Sequence, residues 1–106
     1  MQVTPPQSQA SIIFGERLTD AAPGTSRGLH LVTTDIAATR DDLIAHGATV
    51  SELWHDADGV FHWAGDENRV AGPHPAADSY GTFASFADPD GNEWTIQQIV
   101  TRAPGR

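Results

Sequence analysis

The chain has 106 residues, enough for one small domain, and its 39% hydrophobic content with three Trp and four Phe supplies a compact core. Fourteen acidic residues against six basic ones leave a net charge of −8, which argues against a nucleic-acid surface and against attachment to anionic membranes. With no cysteine, disulfides, thiolate metal sites and cysteine nucleophiles are excluded. No basic-then-apolar leader and no apolar run of membrane-spanning length is visible, so a soluble cytoplasmic protein is expected.

In chain order, residues 1–4 and 10–14 are short and strand-like, and 5–9 separate them as a loop, which predicts a hairpin. Residues 16–27 form a polar connector containing Pro23-Gly24 and Thr25-Ser26. Residues 28–33 are β-rich. Asp35 then offers an N-cap, Ile36, Leu43 and Ile44 are expected on one helical face, and Gly47 ends the helix at C′. His46 is well placed near the negative end of that helix dipole. Residues 49–54 return as a strand, 56–59 turn, and 60–64 form the next strand. Residues 65–81, with Pro73 and Pro75, read as a long polar loop of the kind that serves as a lid, binding loop or interface arm. Residues 82–87 and 93–100 complete the sheet, and 101–106 read as a frayed tail. The fold class is therefore α+β. Its expected organisation is a hairpin and linker over 1–26, a βαβββ unit over 27–100, and the tail.

Between the last two strands lies Asp88-Pro89-Asp90-Gly91-Asn92. Pro89 presets one turn position, Asp90 suits the next, and Gly91 supplies the left-handed residue that lets the strands pair through a bulge. The pattern F-x-DPDGN-x-W, closing a βαβββ unit, resembles the last hairpin of a vicinal-oxygen-chelate module, the superfamily of glyoxalases, bleomycin-resistance proteins and extradiol dioxygenases. The resemblance covers residues 28–99. Such proteins normally pair two modules around a shared cup. Here one module is complete, and the N-terminal hairpin resembles the end of a preceding one. The resemblance therefore implies a cup completed by a homodimer, side by side or strand-swapped; a truncated or engineered fragment is the alternative.

In the metal-using relatives each module gives one ligand from its first strand, usually His or Gln, and one from its last, usually Glu. Aligned through Asp35 and through Asp90-Gly91, these positions fall on Gly28 and Thr95. Glycine has no side chain, and a neutral Thr hydroxyl is a poor ligand for divalent iron, nickel or zinc. The expectation is therefore no metal cofactor. The alternative is a divalent ion on a shifted pair, His30 and Glu93, since alternation puts His30, Glu93, Thr95 and Gln97 on one face.

His55 and His62, with Asp56 or Asp58, are a further candidate metal or acid–base group, and His74 shares the long loop with Asp66, Glu67 and Arg69; ordinary solvated surface is the competing account of both groups. Of the aromatics, Phe86 and Trp94 are assigned to the core, whereas Trp54, Trp63 and Phe83 are candidates to line the cup. The binding set is thus His30, Trp54, Trp63, Phe83, Thr95 and Gln97. Two functions follow from the resemblance: a metal-free protein binding a small aromatic or hydrophobic molecule, with the acidic balance favouring a cationic one, or a divalent-metal-dependent lyase or dioxygenase. The residues do not decide whether there is catalysis. A third outcome keeps the fold and loses the pocket.

Overall fold

The computed structural model describes residues 1–57, 67–75 and 79–105. The N-terminal strands β1 (Gln2–Val3) and β2 (Ile12–Ile13) pair antiparallel as a separate hairpin. The rest builds a five-stranded mixed sheet from β3 (Leu29–Thr33), β4 (Trp54–Asp56), β5 (Arg69–Ala71), β6 (Phe83–Ala87) and β7 (Glu93–Gln98), in the order β3-β7-β6-β4-β5. The helix α1 (Ile36–Ala45) crosses between β3 and β4, so the described elements run strand, helix and four strands, consistent with a βαβββ module that carries one further strand. β3 runs parallel to β7, and the remaining pairs are antiparallel.

Local chemistry accounts for most of these boundaries. The Asp35 carboxylate accepts from the Ala38 N–H at 3.1 Å, and the Gln98 Oε1 accepts from the Ile36 N–H at 3.0 Å, so two orphan amides of the first turn are satisfied. At the other end Gly47 adopts φ +96° and donates to the Ile44 carbonyl. The β6–β7 turn closes as its composition requires. Gly91 lies at φ +96° and donates to the Asp88 carbonyl at 2.9 Å, and the Asp88 side chain accepts from the backbone amides of Asp90 and Asn92.

The core lies between α1 and one face of the sheet. Ile36, Val50, Ala84 and Ile96 are buried there, with Leu43, Ala48, Leu53 and Phe86 packed around them. Phe86 and Trp94 stack across β6 and β7 with ring centroids 6.2 Å apart on this same side. Ile44, expected on the apolar face of α1, is instead exposed. Seven residues separate Ile36 from Leu43, close to two helical turns, and one residue more swings Ile44 by about 100° toward solvent.

Three further expectations are corrected. The run read as a polar loop contains β5, which pairs with β4 (Trp54↔Ala71, His55↔Val70, Asp56↔Arg69). Asp56, read as the start of a turn, is the buried last residue of β4, and the residues before Trp54 contribute only a bridge from Val50 to Phe86. The C-terminal segment is tied down: the Thr101 N–H donates to Ser79 Oγ and the Ala103 N–H to the Tyr80 hydroxyl. The expected strand over 60–64, and with it Trp63 and His62, lies outside the described residues.

The linker is also held. Ser26 donates its backbone N–H to Asn92 Oδ1 and accepts from the Glu93 N–H, both at 3.0 Å, and the Arg27 guanidinium reaches the Gly91 carbonyl at 3.3 Å. Residues 24–27 thus lie as a strap over the β6–β7 turn. Gly24 sits so close that a Cβ there would drive into the Asp90 carbonyl oxygen, with the carbonyl carbon only 2.9 Å away.

Candidate functional site: the sheet face away from the helix

Strand alternation sorts the side chains. Ala84, Phe86, Trp94 and Ile96 point toward α1, so Phe83, Ser85, Glu93, Thr95 and Gln97 point away from it. The β3–β7 register adds His30, directly opposite Thr95, and Val32, opposite Gln97. Trp54 pairs with Phe83 and joins the same face. His30, Trp54, Phe83, Thr95 and Gln97 are therefore brought together on one surface, and Glu93 lies at its edge.

The register also distinguishes His30 from Gly28. Gly28, the first-strand position when the chain is aligned through Asp35, precedes β3 with φ +75°. The residue that stands beside Thr95 on the neighbouring strand is His30.

The floor of the face is aromatic. Trp54 and Phe83 stack with centroids 4.7 Å apart and planes inclined by 22°, and both are buried, at 5% and 0% exposure. The indole N–H donates to Ser85 Oγ at 3.2 Å, which satisfies the polar edge of the ring. From the β5 side the Arg69 guanidinium carbon lies 4.0 Å from the Trp54 ring centroid, a cation–π contact. Trp54 is thus held between a neighbouring aromatic ring and a planar cation. Sequence reasoning grouped Asp56 with His55 and His62 and Arg69 with His74; the structure instead puts both on this face, Asp56 by alternation with Trp54 and Arg69 as its cross-strand partner. Reading Trp54 to Asp56 and Arg69 to Ala71 as paired strands would have placed them there.

Above the floor runs a polar row. The Gln97 amide nitrogen donates to the Tyr80 carbonyl at 2.9 Å, which turns its Oε1 toward His30, 3.0 Å from Nε2. A carbonyl oxygen only accepts, so the His30 Nε2 carries the proton in this contact. The His30 ring also meets Phe83 edge-on at 6.4 Å. Tyr80 adopts φ +69°, unusual for a bulky residue, and is fixed by its N–H to the Gln98 carbonyl as well as by the Gln97 and Ala103 contacts. Val32, 46% exposed, adds an apolar patch at the β3 edge.

The donors on this face do not fit a divalent ion of the kind the metal-using relatives hold. Thr95 and Gln97 are neutral, His30 commits Nε2 to Gln97, and the Glu93 carboxylate faces Arg27 at 3.4 Å. Among the described residues no three His, Asp or Glu side chains gather in metal-binding geometry. Nor, among them, is any helix long and apolar enough to cross a membrane.

No family model matches the chain, and no curated protein matches its sequence. Solved structures do match. TnmS3, an antibiotic-binding protein from Streptomyces sp. CB03234, superposes with a TM-score of 0.62 at 26% identity, over 92% of this chain and 63% of its own. A glyoxalase/bleomycin-resistance protein from the same Streptomyces superposes with a TM-score of 0.60 at 27% identity, over 92% of this chain and 66% of its own. The chain thus spans just under two-thirds of each of these proteins. Together with the βαβββ topology and the closing DPDGN hairpin, these matches place the chain in the vicinal-oxygen-chelate superfamily of glyoxalase and bleomycin-resistance proteins.

Proposed function

We propose that the chain binds a small aromatic or hydrophobic molecule on the sheet face away from α1, without a metal ion there. The observation that carries this reading is the division of that face into an aromatic floor, Trp54 on Phe83, and a polar row, His30, Thr95 and Gln97. An apolar surface with a few oriented polar groups is how small-molecule sites combine affinity with orientation. That one of the solved neighbours is an antibiotic-binding protein supports the same reading. The net charge of −8 favours a cationic ligand.

A second copy of the chain supplies the opposite wall of the cup in this proposal. β3 lies at the edge of the sheet order with Val32 exposed beside the polar row, and an edge of this kind is a template for pairing. The second reading, a lyase or dioxygenase with an ion on His30 and Glu93, finds less support, because both side chains are engaged with Gln97 and Arg27.

The test is a tryptophan-fluorescence titration of the full chain with a panel of antibiotics and flat cationic aromatics, with and without EDTA. Saturable binding that is indifferent to EDTA and abolished by Thr95→Arg, which fills the middle of the face, is expected. Absence of binding across the panel, or binding that survives Thr95→Arg in a folded protein, refutes the site. Light scattering on the same samples distinguishes a dimer from a monomer.

A further inference from the structure

The two rings that floor the ligand face are themselves buried, Trp54 at 5% and Phe83 at 0% exposure. A ligand on this face therefore meets the groups above and beside them. Over Trp54 that group is Arg69, exposed on β5, with its guanidinium carbon 4.0 Å from the ring centroid.

Arg69 differs from the arginines that hold the fold. Arg27 donates to the carbonyls of Gly24, Ser26 and Gly91 and pairs with Glu93. Arg40 donates to the Ser51 carbonyl and pairs with Glu52. Among the described residues no carbonyl accepts from Arg69, and no carboxylate, that of its buried cross-strand neighbour Asp56 included, lies within ion-pair distance of it. Contact with a ring uses the face of a guanidinium, whereas its five N–H donors lie in its plane, in a fork that matches a carboxylate. Resting on Trp54 also restrains the arginine stem, so less rotamer freedom is lost when the fork is engaged.

The register sets Trp54, Phe83 and Gln97 in one row across β4, β6 and β7. At about 4.8 Å per strand, the guanidinium over Trp54 lies about 10 Å from Gln97. A flat fused-ring molecule with a carboxylate at one end matches that span.

We infer that Arg69 selects an anionic ligand: on the face proposed above it takes a planar carboxylate borne by an aromatic ring, in a bidentate hydrogen bond. The inference rests on that face being a binding site and assigns the charge of what it holds. The net charge of −8 governs approach and is screened beyond about 8 Å at physiological salt, whereas the fork acts at contact.

The test is a calorimetric titration of the full chain with naphthoate and with naphthylmethylammonium, which carry the same rings and opposite charges. Naphthoate is expected to bind roughly tenfold more tightly or better. Arg69→Met keeps a stem over Trp54 and loses the preference, and Arg69→Lys keeps the charge without the fork and recovers only part of it. Arg17→Met removes the same charge from an exposed position of the linker and leaves the preference unchanged. Equal or tighter binding of the ammonium, or a preference undiminished in a folded Arg69→Met, overturns the inference and leaves the binding face standing. Failure of both probes also overturns the inference; if antibiotics and flat cations fail to bind as well, the face falls with it.

Discussion

Replacing Gly24 by alanine tests the strap over the β6–β7 turn. Two costs are separable. Gly24 sits at φ +77°, where an L-residue pays about 1–2 kcal/mol of backbone strain. Its new Cβ also meets the Asp90 carbonyl, backbone against backbone, so neither partner relieves the clash by rotating a side chain. The strap must then lift, surrendering the Ser26–Asn92, Glu93–Ser26 and Arg27–Gly91 hydrogen bonds, each contributing about 0.5–1.5 kcal/mol. The Arg27–Glu93 pair adds little, since both side chains are more than half exposed. A total loss of about 2.5–6.5 kcal/mol follows. Gly28→Ala is the internal control: φ is +75°, but no atom lies within 4 Å of its Cβ position, so strain alone remains, about 1–2 kcal/mol. Urea unfolding of both variants, followed by far-UV circular dichroism, reads the difference. Equal losses in the two would show that the strap is not packed against the turn.

Three further outcomes are expected. Asp35→Ala removes the helix N-cap and lowers stability by about 1 kcal/mol in the same urea assay, and Asp35→Ser retains most of it. Phe83→Ala empties a fully buried position and unstacks Trp54; a loss of about 3–5 kcal/mol is expected with a shift in tryptophan emission, and a loss under about 1 kcal/mol would contradict the packing. The Asp88 carboxyl is held below the usual carboxylate range, chiefly by the Asn92 side-chain amide, with Trp94 and the Asn92 and Asp90 backbone amides adding to it and burial opposing it. Its contribution is therefore fully present above the ordinary Asp value of about 3.9 and is lost as pH falls through the lowered value. The stability gap between wild type and Asp88→Asn should stay constant down to that range and close below it; a gap that closes nearer neutrality assigns the titration elsewhere.

The parts of the fold legible in the sequence are those governed by neighbours along the chain. Asp35 and Gly47 bound the helix because capping is local, and DPDGN forms its turn because its angles are set by Pro89 and Gly91. Alternation along each strand is equally local, and with the strand order of the module it suffices to put His30, Thr95 and Gln97 on one face. The parallel β3–β7 register is not legible, because no turn joins the two strands, and this is why alignment through Asp35 selects Gly28 when His30 stands beside Thr95. β5 escapes notice because Arg69–Ala71 is short and exposed throughout, with Gly72 and Pro73 directly after it. That the rings of His55 and His74 meet, with centroids 5.4 Å apart, depends on the path of the chain between β5 and β6, which no spacing rule supplies.

The β3–β7 pairing has a consequence for the order of assembly. The helix caps and the β6–β7 hairpin close within a few residues, whereas joining Leu29 to Trp94 closes a loop of roughly sixty residues, whose entropic cost comes before any contact offsets it. The row that runs from His30 to Gln97 straddles this seam. During synthesis β3 leaves the ribosome early and waits, unpaired, until the last strand emerges. The polar row of that face is then completed last, after the Trp54–Phe83 stack on β4 and β6.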